Sequence, residues 1–312
     1  MTGYGGDEQS DRWFVRRLVT VARLVRLPNL FTAPPDVVLG AAIAASLGRS
    51  VPVLSLVGLS AASVLLYASG TALNDYFDAP TDGEERPERP IPSGAISRSR
   101  ALLLGSSLLL GGVSVAFLAG GARAGVVSTG LALLVVGYDG GLKGSVPGYL
   151  AMGGARGTNV LLGTTVALRP TELPADVASI PVLVALYIAA VTYMADGETE
   201  TGGRGAVGVA VAGAVLAAAG VVGASVVTSP LSLGSLASVA FLVAFLAWIG
   251  RPLSAAFADP APGTIGPAVG ACVLGLIPLN AAFAATASPV WALCVAAFFL
   301  PALGLAEAFD VS

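Results

Sequence analysis

Long apolar runs separated by short polar breaks extend along most of the chain. A helix needs roughly 20 mainly apolar residues to cross the ~30 Å hydrocarbon core of a bilayer. By this criterion the pattern predicts spans at 30–48, 51–73, 99–120, 124–141, 149–168, 178–195, 205–227, 231–249, 264–286 and 289–307. Segments of about ten residues with alternating polarity, which would indicate a barrel, do not occur in the sequence. We therefore expect an all-α fold, a polytopic transmembrane helical bundle with ten spans, or with nine spans and one surface helix.

Composition supports this class and excludes others. Hydrophobic residues make up 55% of the 312 residues and charged residues only 11%, less than half of the roughly 25% that is usual in a soluble domain. The absence of histidine excludes His-ligated metal sites and Ser-His-Asp or Cys-His catalysis. With a net charge of −3, a nucleic-acid partner has no electrostatic support.

Basic residues predict the orientation. If the N-terminus is cytoplasmic, twelve of the 16 basic residues lie inside and three outside, as the positive-inside rule requires. We therefore expect a multi-pass protein of the cell (inner) membrane with cytoplasmic N-terminus and active-site loops. We expect residues 1–27 to form a cytoplasmic tail and an interfacial basic helix, which would serve as an anchor or, alternatively, as a lid, and 28–312 to form a single transmembrane domain.

Two acidic clusters follow the second and the sixth predicted spans. Asp75, Asp78 and Asp82 stand at i, i+3 and i+7, a spacing that places them on one helix face. Pro80 is expected to end the helix near Asp78, so that Asp82 returns from the loop. Oxygen ligands suit Mg²⁺ or Mn²⁺, which complete their coordination with water and substrate phosphate. The sequence therefore predicts a metal–diphosphate site, with Glu84, Glu85 and Glu88 as solvated charges.

These residues resemble a known family. Residues 74–82 (NDYFDAPTD) and 89–94 (RPIPSG) are similar to the NDxxDxxxD and RPxPSG motifs of the UbiA superfamily of membrane prenyltransferases, such as the 4-hydroxybenzoate polyprenyltransferases. Asp196 and Glu200 resemble its second motif, DxxxD, although the final residue here is Glu. The resemblance extends from about residue 26 to about residue 250.

The resemblance implies a helical bundle around a central cavity that opens to the cytoplasmic side. Members transfer a prenyl group from a Mg²⁺-bound prenyl diphosphate to a lipophilic acceptor, such as an aromatic compound or a quinone precursor, and release pyrophosphate. The resemblance also implies catalytic roles for Asp75, Asp78 and Asp196. It implies metal ligation by Asp75, Asp78, Asp82, Asp196 and Glu200. The candidates for diphosphate binding are Asn74, Arg86, Arg89, Lys143 and Arg204, of which Arg86 and Arg204 are alternatively positive-inside anchors.

Polar residues within or beside the spans are expected to face the bundle interior, because a charge facing lipid is costly. The candidates for an acceptor pocket are Asp36, Tyr138, Asp139, Arg156, Asn159 and Tyr193. The alternative is that Arg156 pairs with Asp36 or Asp139 and holds helices together. Gly153, Gly154 and Gly157 are interpreted as helix-packing positions. A cation-coupled membrane transporter is the alternative class of function.

Overall fold

The computed structural model describes residues 19–196, 203–228 and 232–309, and within these ranges it contains helices and turns but no strand. This confirms the predicted all-α transmembrane bundle. The helices are α1 (Leu27–Leu30), α2 (Pro34–Ser46), α3 (Val53–Glu85), α4 (Arg98–Gly137), α5 (Val146–Thr164), α6 (Ala175–Asp196), α7 (Gly203–Thr228), α8 (Leu233–Ala258), α9 (Pro262–Ala285), α10 (Pro289–Ala296) and α11 (Phe299–Phe309), with a π-helical turn at Tyr138–Leu142 and a 3₁₀ turn at Pro170–Glu172.

Seven segments of the described chain are helices long and apolar enough to cross a membrane. They comprise α3, α4 with the following π turn, α6, α7, α8, α9 and the segment Pro289–Ala308. The span predicted at 30–48 is shorter in the structure, since α2 has 13 residues and is only about 20 Å long. Pro34 begins this helix, and Gly48 follows it with a φ of 74°.

Helix α4 is a hairpin of two arms, as the separate predictions at 99–120 and 124–141 require. Gly121 (φ 71°, ψ −162°) interrupts its 40 residues with a left-handed backbone that only glycine adopts without strain. On the first arm, a Cβ added at Gly105 would lie 2.9 Å from the side chain of Leu73 and one added at Gly112 would lie 2.7 Å from that of Leu66, which comes earlier in α3. For the second arm, a Cβ added at Gly70 would lie 3.2 Å from Val135. The first arm is therefore antiparallel to α3, and the second arm returns beside it.

Helix α3 does not end near Asp78, so this prediction was wrong. It continues through Pro80 to Glu85 and carries Asp82 on the helix itself. Proline lacks the N–H that would bond to the carbonyl four residues earlier, here that of Tyr76. Arg98 replaces this donor, because its Nε lies 3.1 Å from the Tyr76 oxygen.

Helix α5 packs against two neighbours through glycines. A Cβ at Gly163 would lie 2.1 Å from the carbonyl oxygen of Val37 on α2, and one at Gly153 would lie 2.2 Å from that of Ala185 on α6. Gly157 similarly approaches the backbone of Pro181. The interpretation of Gly153 and Gly157 as packing positions agrees with this geometry, which brings the backbone of α5 close to those of α2 and α6.

Candidate active site

A cavity of about 310 Å³ lies between α3, the second arm of α4 and α5. Its mouth is polar, and its walls carry apolar side chains such as Leu66, Leu134 and Met152. Polar side chains return at its inner end. The lining residues include Arg26, Asn74, Asp78, Arg86, Arg89, Tyr138, Asp139 and Lys143 toward the mouth, and Ser63, Tyr67, Arg156 and Asn159 further in.

The carboxylates of the first motif lie on one face of α3 and are paired with basic side chains. Arg89 returns from the loop that follows α3, and its Nη1 lies 2.7 Å from Asp82 Oδ2 and 3.6 Å from Asp75 Oδ1. Asp75 and Asp82 are both 4% exposed. Because a buried carboxylate is costly unless it is paired, Arg89 fixes the geometry of this set.

Arg26 is a residue of the site that the sequence interpretation did not include. Its Nη2 lies 3.3 Å from Asn74 Oδ1 and 3.4 Å from Asp75 Oδ1. Its backbone is left-handed (φ 48°, ψ 59°), and such strain in a residue other than glycine is frequent at functional sites. The basic pattern within residues 1–27 predicts an interfacial helix, an anchor or alternatively a lid, and nothing in that pattern distinguishes Arg26 from the other arginines.

The π turn after α4 brings further polar groups to the mouth. Lys143 pairs with Asp78, and Asp139 accepts a hydrogen bond of 3.2 Å from Asn74 Nδ2. Short π segments are often found at functional sites. Together these contacts join the end of α3 to the end of α4.

The second acidic position lies at the same end of the bundle. Asp196 ends α6 and accepts a hydrogen bond of 2.5 Å from the Tyr149 hydroxyl. A Cβ added at Gly144 would lie 4.0 Å from Asp196 Oδ1, and Gly144 directly follows Lys143, which pairs with Asp78. Lys143 and Gly144, which directly follow the π turn, therefore lie between the two acidic positions. Glu200 lies outside the described residues.

Besides Asp75, Asp82 and Asp196, whose contacts are given above, three further described candidate residues do not line this cavity. Arg204 donates to the carbonyl oxygens of Phe257 and Ala258, at 3.1 and 3.2 Å. Tyr193 is 40% exposed and packs edge-to-face on Tyr149, with ring centroids 5.3 Å apart. The third, Asp36, is fully buried.

Asp36 is the centre of a polar cluster that joins three helices. Arg156 Nη1 lies 3.1 Å from Asp36 Oδ2 and Asn159 Nδ2 lies 3.0 Å from the same oxygen. Asn280, on α9, donates to Asp36 Oδ1 at 2.7 Å. Arg156 therefore pairs with Asp36 and not with Asp139, while its side chain and that of Asn159 also line the cavity. We call these four residues the Asp36 cluster.

The chemistry of the mouth suits a cation that binds through oxygen. The donor atoms of Asp75, Asp78 and Asp82 are carboxylate oxygens, the ligands that Mg²⁺ prefers. No group of three acidic or thiol side chains in the described part of the chain converges into a ready-made metal site. Each of the three carboxylates instead contacts a basic side chain. The residues fit Mg²⁺ in the form that needs only one or two carboxylates and completes its shell with phosphate.

These features define a class, a polytopic helical membrane protein whose buried cavity carries carboxylates and basic groups at its mouth. Residues 36–251 match the model of the UbiA prenyltransferase family. The chain belongs to this family, which confirms the resemblance seen in its motifs.

Similar proteins share only part of the sequence. A digeranylgeranylglyceryl phosphate synthase from Ignicoccus hospitalis is 33% identical over 177 residues, which cover 55% of this chain and 55% of that protein. A second synthase of this name, from Methanothrix thermoacetophila, is 31% identical over 171 residues, 54% of this chain and 62% of that protein. The chain thus spans about half the length of the curated relatives it matches.

Two solved structures share the fold over most of this chain and most of their own. The apo structure of a UbiA homologue from Aeropyrum pernix has a TM-score of 0.64 at 18% identity and covers 81% of this chain and 96% of that one. A UbiA homologue from Archaeoglobus fulgidus, bound to GPP and Mg²⁺, has a TM-score of 0.58 at 14% identity and covers 89% of this chain and 99% of that one. At these identities the likeness concerns the fold.

Proposed function

We propose that the protein transfers a prenyl group from a prenyl diphosphate to a lipophilic acceptor and releases pyrophosphate. The observation that carries this proposal is the combination of carboxylates and basic side chains at the mouth of a cavity with apolar walls. Such a cavity accommodates an isoprenoid chain, while its mouth suits a diphosphate.

The diphosphate is held at the mouth by Arg26, Arg86, Arg89 and Lys143, all of which line the cavity. Arginine provides paired N–H donors that match phosphate oxygens. Mg²⁺, which is bound with GPP in the Archaeoglobus homologue, would be held here by one or two of the carboxylates of Asp75, Asp78 and Asp82 from the first motif, with Asp196 and Glu200 of the second motif as further candidate ligands. When bound, it acts as a Lewis acid on the leaving diphosphate. Arg204 donates to a backbone carbonyl of α8, so we do not include it among the residues that bind the diphosphate.

The reaction breaks the bond between C1 of the prenyl group and the diphosphate oxygen, and the electron pair leaves with pyrophosphate. A new bond forms between C1 and the acceptor, which loses a proton. Donors that face the developing negative charge stabilise the transition state. Tyr67 and Tyr138 line the cavity, and aromatic faces stabilise an adjacent cation.

For the acceptor we propose a hydroxyl group of a glyceryl phosphate ether. The sequence predicted an aromatic compound or a quinone precursor, whereas the relatives are named digeranylgeranylglyceryl phosphate synthases. Removal of one geranylgeranyl group from the product in that name leaves geranylgeranylglyceryl phosphate, which carries one free hydroxyl. This compound is therefore the first acceptor to test.

We place the mouth on the cytoplasmic side. Arg89, Arg98, Arg100 and Lys143 lie at or beside this end of the bundle, and cytoplasmic segments of membrane proteins carry an excess of basic residues.

The test is an assay of the purified protein with geranylgeranyl diphosphate, geranylgeranylglyceryl phosphate and Mg²⁺. We expect pyrophosphate release that stops when EDTA removes the metal. Asp75→Asn and Asp78→Asn are each expected to lower turnover by at least ~10²-fold through loss of electrostatic stabilisation. Glu84→Gln, at an exposed position on the same helix, is the control and is expected to retain turnover.

Unchanged turnover in both aspartate variants would refute the role of the first motif. Solute uptake into vesicles without consumption of the diphosphate would support the transporter alternative instead.

A further inference from the structure

Asp139 and Lys143 contact α3 one helical turn apart. Asp139 Oδ1 accepts a hydrogen bond of 3.2 Å from Asn74 Nδ2, and Lys143 pairs with Asp78. Asn74 comes before Asp78 on α3, which runs toward the mouth, so the contact of Asp139 lies about 6 Å further into the cavity than that of Lys143. Asp139 therefore lies between the paired charges of the mouth and the apolar walls.

Asp139 differs from the neighbouring carboxylate in its charge environment. Among the described residues, the carboxylates that line the cavity are those of Asp78 and Asp139. Asp78 pairs with Lys143, whereas Asp139 forms no salt bridge within the described part of the chain. Lys143 and Arg26 are the basic side chains near it, and each is paired with another carboxylate. Because an opposite charge stabilises the ionised form of a carboxylate and weakens it as a base, Asp139 is the better suited of the two to take a proton.

The contacts of Asp139 hold its side chain and leave one oxygen available. Asp139 is 9% exposed and lines the cavity. Its Oδ1 accepts the bond from Asn74, and its Oδ2 accepts no hydrogen bond from the described residues. Asn74 Oδ1 in turn lies 3.3 Å from Arg26 Nη2, which fixes the orientation of the amide with its NH₂ group toward Asp139. A carboxylate that is held in this way and has a free oxygen meets the geometric requirement for a general base.

The position of Asp139 is also where the reacting groups would meet. In the proposed function the basic residues of the mouth hold the diphosphate and the prenyl chain extends along the apolar walls. C1 therefore lies on the inner side of the diphosphate, one step further in than Lys143, which is the level of Asp139. The glycerol carbons of geranylgeranylglyceryl phosphate carry its phosphate, its ether and its hydroxyl. The hydroxyl and the phosphate are thus close together, and both are placed at the mouth.

We infer that Asp139 is the general base of the transfer and accepts the proton of the acceptor hydroxyl. The inference rests on the proposed function and deepens it. As the hydroxyl oxygen forms its bond to C1, the bond between C1 and the diphosphate oxygen breaks, and that electron pair leaves with pyrophosphate. The O–H bond also breaks, its electron pair stays on the new ether oxygen, and the proton moves to the carboxylate of Asp139. The proton passes to water when the products leave through the mouth.

Asp139→Asn is the first test, because asparagine has the same shape but cannot act as a base. Its side-chain oxygen can still accept the hydrogen bond from Asn74, so we expect an unchanged thermal midpoint. We expect the rate constant of prenyl transfer to fall by about 10²- to 10⁴-fold, the usual contribution of a general base. The rate is measured in a single turnover with saturating geranylgeranyl diphosphate, geranylgeranylglyceryl phosphate and Mg²⁺, so that product release does not limit it.

Asp176→Asn is the matched control. Asp176 is an exposed carboxylate at the start of α6, at the opposite end of this helix from Asp196, and the substitution removes the same charge. We expect it to keep the wild-type rate. A role of Asp139 limited to holding Asn74 predicts that Asp139→Asn keeps the wild-type rate as well, because that hydrogen bond remains. This result would overturn the inference.

Metal binding is the other role open to a carboxylate at this mouth, and the Mg²⁺ dependence distinguishes the two. The removal of a base leaves the metal requirement unchanged. We therefore expect the Mg²⁺ concentration for half-maximal rate to be the same in Asp139→Asn as in the wild type. A higher requirement in this variant would identify Asp139 as a metal ligand and overturn the inference.

An added base tests the proton transfer directly. Asp139→Ala leaves space for a small carboxylate, and formate is the probe. We expect formate to raise the single-turnover rate of Asp139→Ala and to leave that of the wild type unchanged. A rate of Asp139→Ala that does not respond to formate would show that the side chain acts through the structure of the site and not as a base.

The outcomes separate the two proposals. Prenyl transfer at the wild-type rate in Asp139→Asn overturns the inference and leaves the proposed function intact. Absence of turnover in the wild type overturns the proposed function together with the inference.

Discussion

Arg26 and Asp75 are 49 positions apart in the chain and meet at the mouth of the cavity, with Nη2 3.4 Å from Oδ1. This contact brings the segment before α2 into the site that the first motif forms. Arg26 also lines the cavity, so it is placed both to orient the carboxylate and to reach a bound diphosphate.

We predict that Arg26→Ala lowers kcat/KM for the prenyl diphosphate by about 10- to 100-fold, because a hydrogen bond to a charged group contributes ~1.5–3 kcal/mol. Steady-state kinetics with varied diphosphate measure this. Arg23→Ala is the control, since Arg23 lies three residues earlier and is exposed. Equal effects of the two substitutions would show that only the overall basic charge of the segment matters.

The contact between Arg98 and Tyr76 predicts a thermodynamic coupling with Pro80. Arg98→Ala removes the donor to the Tyr76 carbonyl and is expected to lower the free energy of unfolding by about 1–2 kcal/mol. Pro80→Ala restores a backbone N–H to the same carbonyl. In the double variant the cost of Arg98→Ala is therefore expected to shrink, as a double-mutant cycle of unfolding in detergent measures.

Arg100→Ala is the control for this cycle, because Arg100 is an exposed residue of the same helix end. Additive effects of Arg98→Ala and Pro80→Ala would contradict the assigned compensation.

Glycine packing between α2 and α5 predicts a large loss of stability on a small substitution. A Cβ at Gly163 would lie 2.1 Å from the Val37 oxygen, so Gly163→Ala forces the two backbones apart. We expect a loss of about 3 kcal/mol or more, at the upper end for overpacked interiors. Gly208→Ala is the control: among the described residues, no atom beyond the adjoining backbone of its own helix lies within 4 Å of its added Cβ, and alanine is the better helix former by up to ~1 kcal/mol. Thermal unfolding of the two variants gives the comparison.

Arg204 and Arg89 are expected to respond differently to the same substitution. Arg204 donates to the last carbonyls of α8, and Arg204→Ala is predicted to cost about 0.5–1.5 kcal/mol of stability with little change in KM for the diphosphate. Arg89→Ala is predicted to abolish most of the turnover, because Arg89 pairs with Asp75 and Asp82. A raised KM for the diphosphate in Arg204→Ala would contradict this prediction and show that Arg204 contributes to diphosphate binding.

Patterns confined to a short stretch of sequence predicted the fold well. Hydrophobic runs gave the helices, and the break between 120 and 124 coincides with the hinge at Gly121. The prediction that α3 ends near Asp78, before Pro80, was wrong because the helix continues with the help of a contact that is not local in the sequence. The donor that replaces the missing N–H of Pro80 is Arg98, which lies across the intervening loop, and no local pattern shows that contact.

In the candidate site, too, contacts between residues close in sequence were predicted, and contacts between distant helices were not. The first motif and Arg89 lie close in sequence, and the structure places them together. The choice of Asp36 over Asp139 as the partner of Arg156 depends on how α2 and α5 cross. The contribution of Asn280 depends on α9, which is distant in sequence.

The hydrogen bond between Asn280 and Asp36 limits how far the chain can be truncated at its C-terminal side. The family match ends at residue 251, whereas Asn280 lies beyond it and satisfies one oxygen of a carboxylate with no exposure to solvent. A fragment trimmed to the matched range would lack Asn280, and the Asp36 oxygen that accepts its hydrogen bond would lose this donor. Helix α9 is thus required to complete the hydrogen bonds of Asp36, and shortened versions made for crystallisation or expression should retain residues through α9.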